Sequence, residues 1–284
     1  MSAEIRRIGV VGAGTMGHGI AHVAAQAGYE TVLYDVTQAL ASAGVARVAE
    51  NLEQGVAKGK VKAEERQETL ARLSATAKLE DLGGAQLVIE AVPEQMPLKV
   101  STFQKLAQVC GDDCVLASNT SSLSLTEIAA SVKAPERVVG MHFFNPVHIM
   151  KLLEVVRAYQ TSDVAVQAAR LVGGRMGKQV VEVKDSPGFA STRLGVLLGM
   201  EAIRMVEEGV ASPEDIDRAM ELGYGHPMGP LKLGDLVGLD VRLAIGEYLF
   251  QELGNPAFRP PQLLKKMVRA GKLGRKSGQG FYRY

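Results

Sequence analysis

Cysteine is scarce: Cys110 and Cys114 are the two in the chain. They are too few for a disulfide framework, and nothing near them completes a zinc site, so no metal is expected. Cys114 opens an apolar run and reads as a core residue. A surplus of charge is also missing, with 32 basic side chains against 31 acidic ones. That balance favours neither nucleic acid nor an anionic membrane, and the expected partner is a small molecule. No apolar run reaches membrane-spanning length, and the first seven residues fit no signal peptide. The cytoplasm is the expected location. What is present is a globular composition, 46% apolar over 284 residues, a length that predicts two domains.

The stretch from Ile8 to Ala21 organises the first of them. An apolar run, Ile8 to Val11, reads as a buried parallel strand. Gly12, Gly14 and Gly17 then follow in the spacing G-x-G-x-x-G, around Thr15 and Met16. Gly12 permits a tight turn, Gly14 lets a pyrophosphate approach the backbone, and Gly17 lets the next helix lie close to the strand. A helix N-terminus offers free N–H groups and a positive dipole end to the phosphates. An alanine-rich helix is expected over Ile20 to Ala27, stopped at Gly28. A second strand, Thr31 to Tyr34, ends in Asp35, eighteen residues after Gly17. A carboxylate there accepts the ribose hydroxyls of NAD and repels the extra phosphate of NADP. The expected cofactor is NAD.

A helical pattern follows from about Gln38 to Lys58, and a second from Ala63 to Leu73. Together they read as a helical hairpin inserted beside the sheet. The hairpin has two readings, surface decoration or a clamp on a long substrate with Lys58, Lys60 and Lys62 as phosphate partners. Spacing alone favours decoration. Apolar strands are then expected at Leu87–Val92, Cys114–Ala117, Val138–His142, Leu152–Val156 and Gln179–Val183. Helices are expected at about Pro97–Val109, Leu125–Ser131 and Val164–Met176. This alternation predicts a Rossmann-like, doubly wound, mostly parallel α/β sheet over residues 1–184. Ligands sit at the carboxyl ends of such strands. Gly12, Asp35, Pro93-Glu94, Ser118 to Ser122 and His142 all fall there.

From residue 185 to 284 the pattern is all-helical. A long helix over Phe189–Glu208 places Leu194, Leu197, Leu198, Ala202 and Met205 inward. Ser212 caps the next helix, with Pro213 in its first turn and Asp215 in a capping-box-like place. His226 to Pro230 reads as a loop, and further helices are expected at Leu239–Leu253 and Pro261–Ala270. An apolar helix in so small a domain points to a homodimer interface; separately, the helical domain is expected to close over the substrate.

Of five histidines, His18 and His22 lie one turn apart on the first helix. With no third ligand they read as packing or surface residues rather than a metal site. His142 ends a strand on the ligand side. Imidazole titrates near neutral pH and suits removal of a proton from a substrate hydroxyl. Glu154, on the adjacent strand, is the candidate orienting acid; a carboxylate on one ring nitrogen fixes the tautomer and raises the basicity of the other. Ser121 is a candidate partner for the substrate oxygen. Ordinary core roles for these three are the alternative that spacing leaves open.

Several motifs run together in order along the chain. They are Gly12-Ala-Gly-Thr-Met-Gly17, Ser118-Asn-Thr-Ser-Ser-Leu123, Met141-His-Phe-Phe-Asn-Pro146 and Met150-Lys-Leu-Leu-Glu-Val155. Pro187-Gly-Phe189, Asp215-Ile-Asp217, His226-Pro-Met-Gly-Pro230, Asp235 to Asp240 and Leu273 to Tyr282 follow. In these the sequence resembles the 3-hydroxyacyl-CoA dehydrogenase family, and within it the bacterial 3-hydroxybutyryl-CoA dehydrogenases. The resemblance implies reversible oxidation of an L-3-hydroxyacyl-CoA by NAD, with His142 as the base held by Glu154 and Ser121 on the substrate oxygen. It implies Asp35 at the adenine ribose, and Glu94, Lys99, Ser121, Asn145 and Lys276 around the cofactor. It also puts Lys58 among the coenzyme A contacts, which reverses the decorative reading of the hairpin. The sequence departs from the family at Thr192, where asparagine usually faces the reacting oxygen, at Gln95 for asparagine, and at Gln54 for a lysine. Two other readings share these residues: a dehydrogenase of a small free hydroxy acid such as gulonate, and a non-catalytic NAD(H)-dependent regulatory protein.

Overall fold

The computed structural model describes residues 4–284. The chain divides into two compact units, one ending at Asp185 and one spanning Ser186–Tyr284.

The first unit is built on eight strands. They are β1 (Arg7–Val11), β2 (Glu30–Tyr34), β3 (Leu73–Thr76), β4 (Leu87–Glu90), β5 (Val115–Ser118), β6 (Val138–Phe143), β7 (Leu152–Arg157) and β8 (Gln179–Lys184). Their order in the sheet is β3-β2-β1-β4-β5-β6-β7-β8. All neighbours are parallel except β6 and β7. Only eight residues, 144–151, join that antiparallel pair. So short a link cannot make the crossover that parallel strands need. The central strands carry fully buried apolar runs such as Leu87, Val88 and Ile89, as expected of a sheet covered on both faces.

Six helices cover that sheet: α1 (Thr15–Gln26), α2 (Gln38–Ala57), α3 (Ala63–Ala71), α4 (Met96–Val109), α5 (Leu125–Ala130) and α6 (Asp163–Arg175). Helix α1 starts at Thr15, earlier than the alanine run suggests, because the glycine turn leads straight into it. The α2–α3 hairpin is the connection from β2 to the edge strand β3. Leu73, expected to close α3, instead opens β3. That strand pairs with β2 through its backbone and buries only Thr76 fully, so apolar alternation does not reveal it.

The second unit packs α7 (Ser191–Glu207), α8 (Pro213–Tyr224), α9 (Pro230–Val237), α10 (Leu239–Leu253) and α11 (Gln262–Arg269) around Val196, Met200, Ile203, Leu249 and Phe258. Helix α7 begins at Ser191, two residues later than expected, because Phe189 adopts a left-handed φ of 51°. Leu194 does not face inward: it is 67% exposed, on an apolar groove with Leu197, Leu198, His226 and Met228. Val196, Met200, Ala202 and Ile203 are buried, and Leu197 and Met205 pack partly buried against that core, as expected. Ser212 caps α8 by accepting from Asp215 N at 3.1 Å. Helix α9 follows directly on the expected His226–Pro230 loop, over a stretch for which the sequence pattern assigns no element. Its N-terminus is capped from another helix: buried Asp217 accepts from Leu231 N at 2.8 Å and Lys232 N at 3.0 Å. Asp235 accepts from Phe281 N at 3.0 Å and Tyr282 N at 2.9 Å, tying down the tail.

Candidate functional site

The order of strands reverses between β1 and β4, and ligands of doubly wound sheets bind at that switch point. A cleft of about 740 Å³ opens there, along the carboxyl ends of β1, β2, β4, β5 and β6. Gly12, Gly14, Thr15, Met16, Asp35, Glu94, Lys99, Ser121 and His142 all line it.

The glycine turn has the shape a dinucleotide needs. Gly12 has φ +96°, and a Cβ there would lie 2.8 Å from Ala91 O. A Cβ at Gly17 would lie 1.6 Å from Gly12 O, so only glycine lets α1 cross the turn so closely. Gly14 is different: a Cβ there would meet nothing within 4 Å, leaving bare backbone beside open space on the cleft. Side chains of Thr37, Ser124, Ser162 and Ser212 cap α2, α5, α6 and α8. No side chain caps α1, as none caps α4 or α11, and its first N–H groups follow Gly14 on the cleft, where an anion can reach them. Asp35 closes β2 beside the turn, with Oδ2 accepting from Ala13 N and Oδ1 from Val36 N, both at 2.7 Å. These features together fit NAD.

The rim after β4 and β5 is held by a chain of charges. Glu90, fully buried at the end of β4, accepts from Lys99 Nζ at 2.8 Å, Val92 N at 2.7 Å and Ser118 Oγ at 2.7 Å. Lys99 also lies 3.2 Å from Glu94 Oε2. Glu94 Oε1 in turn accepts from Thr120 Oγ1 at 2.7 Å, Ser121 N at 2.8 Å and Ser121 Oγ at 3.2 Å. Burial opposes ionisation of Glu94. The Lys99 ammonium and the donors of Thr120 and Ser121 outweigh it and hold the carboxyl below the usual range. Glu94 therefore fixes the turn that presents Ser121. Lys99 lies on the cleft wall, but it is 1% exposed and committed to two carboxylates.

His142 sits near the end of β6, 6% exposed, directly across from Glu154 in the β6–β7 register. Its Nδ1 lies 2.8 Å from Glu154 Oε2. The antiparallel turn-back makes this pairing possible, because it puts residues twelve apart side by side. In the tautomer in which Nδ1–H donates to an ionised Glu154, Nε2 is the nitrogen that can take a proton. Asn119 Oδ1 accepts from Phe143 N at 2.9 Å, clipping the β5 turn to the histidine strand.

Other sequence candidates lie elsewhere. Asn145 is exposed in the loop after β6 and does not line the cleft. Lys58 follows the last turn of α2, exposed like Gln54, Lys60 and Lys62. In the helical unit, Thr192 lies in the first turn of α7, and Lys276 Nζ lies 2.6 Å from the Asp240 carboxylate. The sequence carries no sign of Glu90, and it marks Asn119 and Thr120 only as members of the Ser118–Ser122 stretch, with no separate role for either. They resemble ordinary strand and loop residues there, and only their three-dimensional partners reveal them. Among the described residues no group of three metal-ligating side chains forms a site, and no helix is long and apolar enough to cross a membrane.

Residues 7–186 match the family model of the 3-hydroxyacyl-CoA dehydrogenase NAD binding domain, and residues 188–284 that of the C-terminal domain. The chain is 48% identical over its whole length to a 3-hydroxybutyryl-CoA dehydrogenase of Mycobacterium tuberculosis, all of which is covered. It is 45% identical to one of Clostridioides difficile, over 98% of this chain and 99% of that one. The crystal structure of an (S)-3-hydroxybutyryl-CoA dehydrogenase from Ralstonia eutropha superposes with a TM-score of 0.96 at 43% identity, covering 99% of each chain. By full-length sequence, fold and cofactor cleft alike, the chain belongs to the 3-hydroxyacyl-CoA dehydrogenase family.

Proposed function

We propose that the protein oxidises short-chain L-3-hydroxyacyl-CoA, 3-hydroxybutyryl-CoA foremost, to the 3-oxoacyl-CoA, and runs the reverse reaction. The observation that carries this is a buried imidazole held by a carboxylate on the same cleft as an open, uncapped glycine turn. When bound, NAD supplies the hydride acceptor for C3 of the substrate. His142 Nε2 removes the proton of the 3-hydroxyl, and Glu154 stabilises the imidazolium that results. In reverse, the imidazolium donates that proton to the 3-oxo group. Ser121 holds the substrate oxygen, and Glu94, with Lys99 behind it, holds Ser121. Asp35 takes the ribose hydroxyls, while Gly12, Gly14, Thr15, Met16 and Gly17 form the pyrophosphate seat. Asn145 and Lys276 complete the cofactor contacts, Lys58 meets the coenzyme A moiety, and Thr192 addresses the reacting oxygen with a single hydroxyl.

The proposal extends to a cytoplasmic homodimer joined through the residue 185–284 domain, which also holds substrate. The exposed apolar side chains of Leu194, Leu222 and Tyr224 support the dimer. The deciding assay is NADH oxidation with acetoacetyl-CoA, with free coenzyme A as an inhibitor. Turnover and inhibition are expected. No turnover of acetoacetyl-CoA, with oxidation of a free hydroxy acid that coenzyme A does not inhibit, would indicate a free hydroxy acid substrate, and no turnover of either would indicate a regulatory protein.

A further inference from the structure

The loop 144–151 links the strand of His142 to the strand of Glu154, and its first residue touches the base. The Phe144 and His142 rings lie 4.4 Å apart, tilted by 46°. The rest of the loop turns back on itself, with Ile149 N and Met150 N donating to Pro146 O at 3.0 and 2.9 Å. Its underside rests on α1. Val147 is 2% exposed and fills the gap left by Gly19, where a Cβ would lie 2.8 Å from its Cγ2. One buried cation spans the turn: Lys178 Nζ donates to Val147 O and, at 2.8 Å, to Met150 O. Lys178 stands just before β8, whose Gln179 N donates to Lys151 O at 2.8 Å. Burying an ammonium is costly, and here its hydrogen-bond partners are backbone carbonyls of this one turn. A plain loop would not require it.

We propose that Lys178 is a positioning residue for the base: by clamping the Val147 and Met150 carbonyls it fixes the loop whose Phe144 holds the His142 ring in place. This rests on His142 being the proton acceptor. Charged donors to carbonyls are the stronger kind, and small displacements of a reacting group cost rate rather than binding. The groups facing the ammonium are Lys151 and His148 on the loop and His22 on α1, with His18 beyond them beside the two histidines. None is an acid. Burial first, and Lys151 second, bring the ammonium down to about 8. The clamp therefore loses its charge as pH rises through that value.

The test compares Lys178→Met and Lys178→Arg with the wild-type enzyme in oxidation of 3-hydroxybutyryl-CoA by NAD, with circular dichroism to measure the folded fraction. Lys178→Met is expected to lower kcat per folded molecule by about tenfold or more, with KM for the thioester within about threefold. Lys178→Arg, which keeps charged donors, is expected to restore most of kcat. It should also abolish the decline in wild-type kcat above about pH 8, because arginine stays charged there. A Lys178→Met kcat within about twofold of wild type overturns the proposal, as does an alkaline decline unchanged in Lys178→Arg. His142→Ala is the control. If it turns over like wild type, the reading of His142 fails. If it is inactive while Lys178→Met is not, the positioning role alone fails.

Discussion

Two buried histidines flank the loop 144–151, and they differ in one respect that matters. His142 is 6% exposed and has Glu154 Oε2 at 2.8 Å from Nδ1. His22 is 3% exposed, stacks on His148 at 5.4 Å, and neither of its nitrogens has a hydrogen-bond partner. Burial pulls the His22 imidazole down to about 4, helped by His148, His18 and Lys178 nearby. It is thus kept neutral and inert at physiological pH. Burial alone makes a histidine a packing residue; burial with a carboxylate, at the ligand edge of a sheet, makes it a candidate base.

Substitutions can break or sharpen this contrast. His142→Ala should lower kcat by roughly 10²–10⁴-fold, the usual worth of acid–base help, while NADH affinity by fluorescence titration stays unchanged. Glu154→Gln keeps the size but loses the charge, and kcat should fall by at least about tenfold, less than for His142→Ala. A full rate in that variant would show that the partner is not what separates the two histidines. Asp35 extends the partner rule to the cofactor rim. The wild-type enzyme should prefer NAD strongly, and Asp35→Ala should narrow the NAD/NADP ratio of kcat/KM by about 10–10²-fold, the worth of a charged contact and its repulsion.

His22→Leu should leave kcat alone and change only acid stability. The unfolded chain takes up a proton on His22 below about pH 6.5, and the folded chain refuses it down to about 4. Stability from this group is therefore complete above pH 6.5 and is lost as pH falls towards 4. The full span is worth roughly 3 kcal/mol. Urea melts at pH 7 and pH 5 should show a smaller difference in the Leu variant than in the wild type.

Much of the site was legible because it is local in sequence. The strand, glycine turn, helix, second strand and Asp35 lie within about thirty residues, and each glycine answers a steric demand of its own neighbours. His142 and Glu154 were legible as strand residues on the right edge. Their contact depends on β6 and β7 being antiparallel, which the eight-residue link encodes. Strand β3 was missed because an edge strand needs little apolar pattern. Helix α9 was missed because its cap, Asp217, comes from another helix. The family resemblance puts Lys99 around the cofactor, while its enclosure by Glu90 and Glu94 is a tertiary fact that no local pattern shows. Lys178 gave no signal, since backbone carbonyls, which every residue has, are its partners.

The most direct measurement is the tautomer of residue 142, read by nitrogen NMR on imidazole-labelled holoenzyme at neutral pH. A base held by Glu154 should show a proton on Nδ1, shared with Glu154, and an unprotonated Nε2 whose signal is lost in His142→Ala. A neutral ring protonated on Nε2 instead would leave no basic nitrogen for the substrate hydroxyl and would contradict that reading of His142.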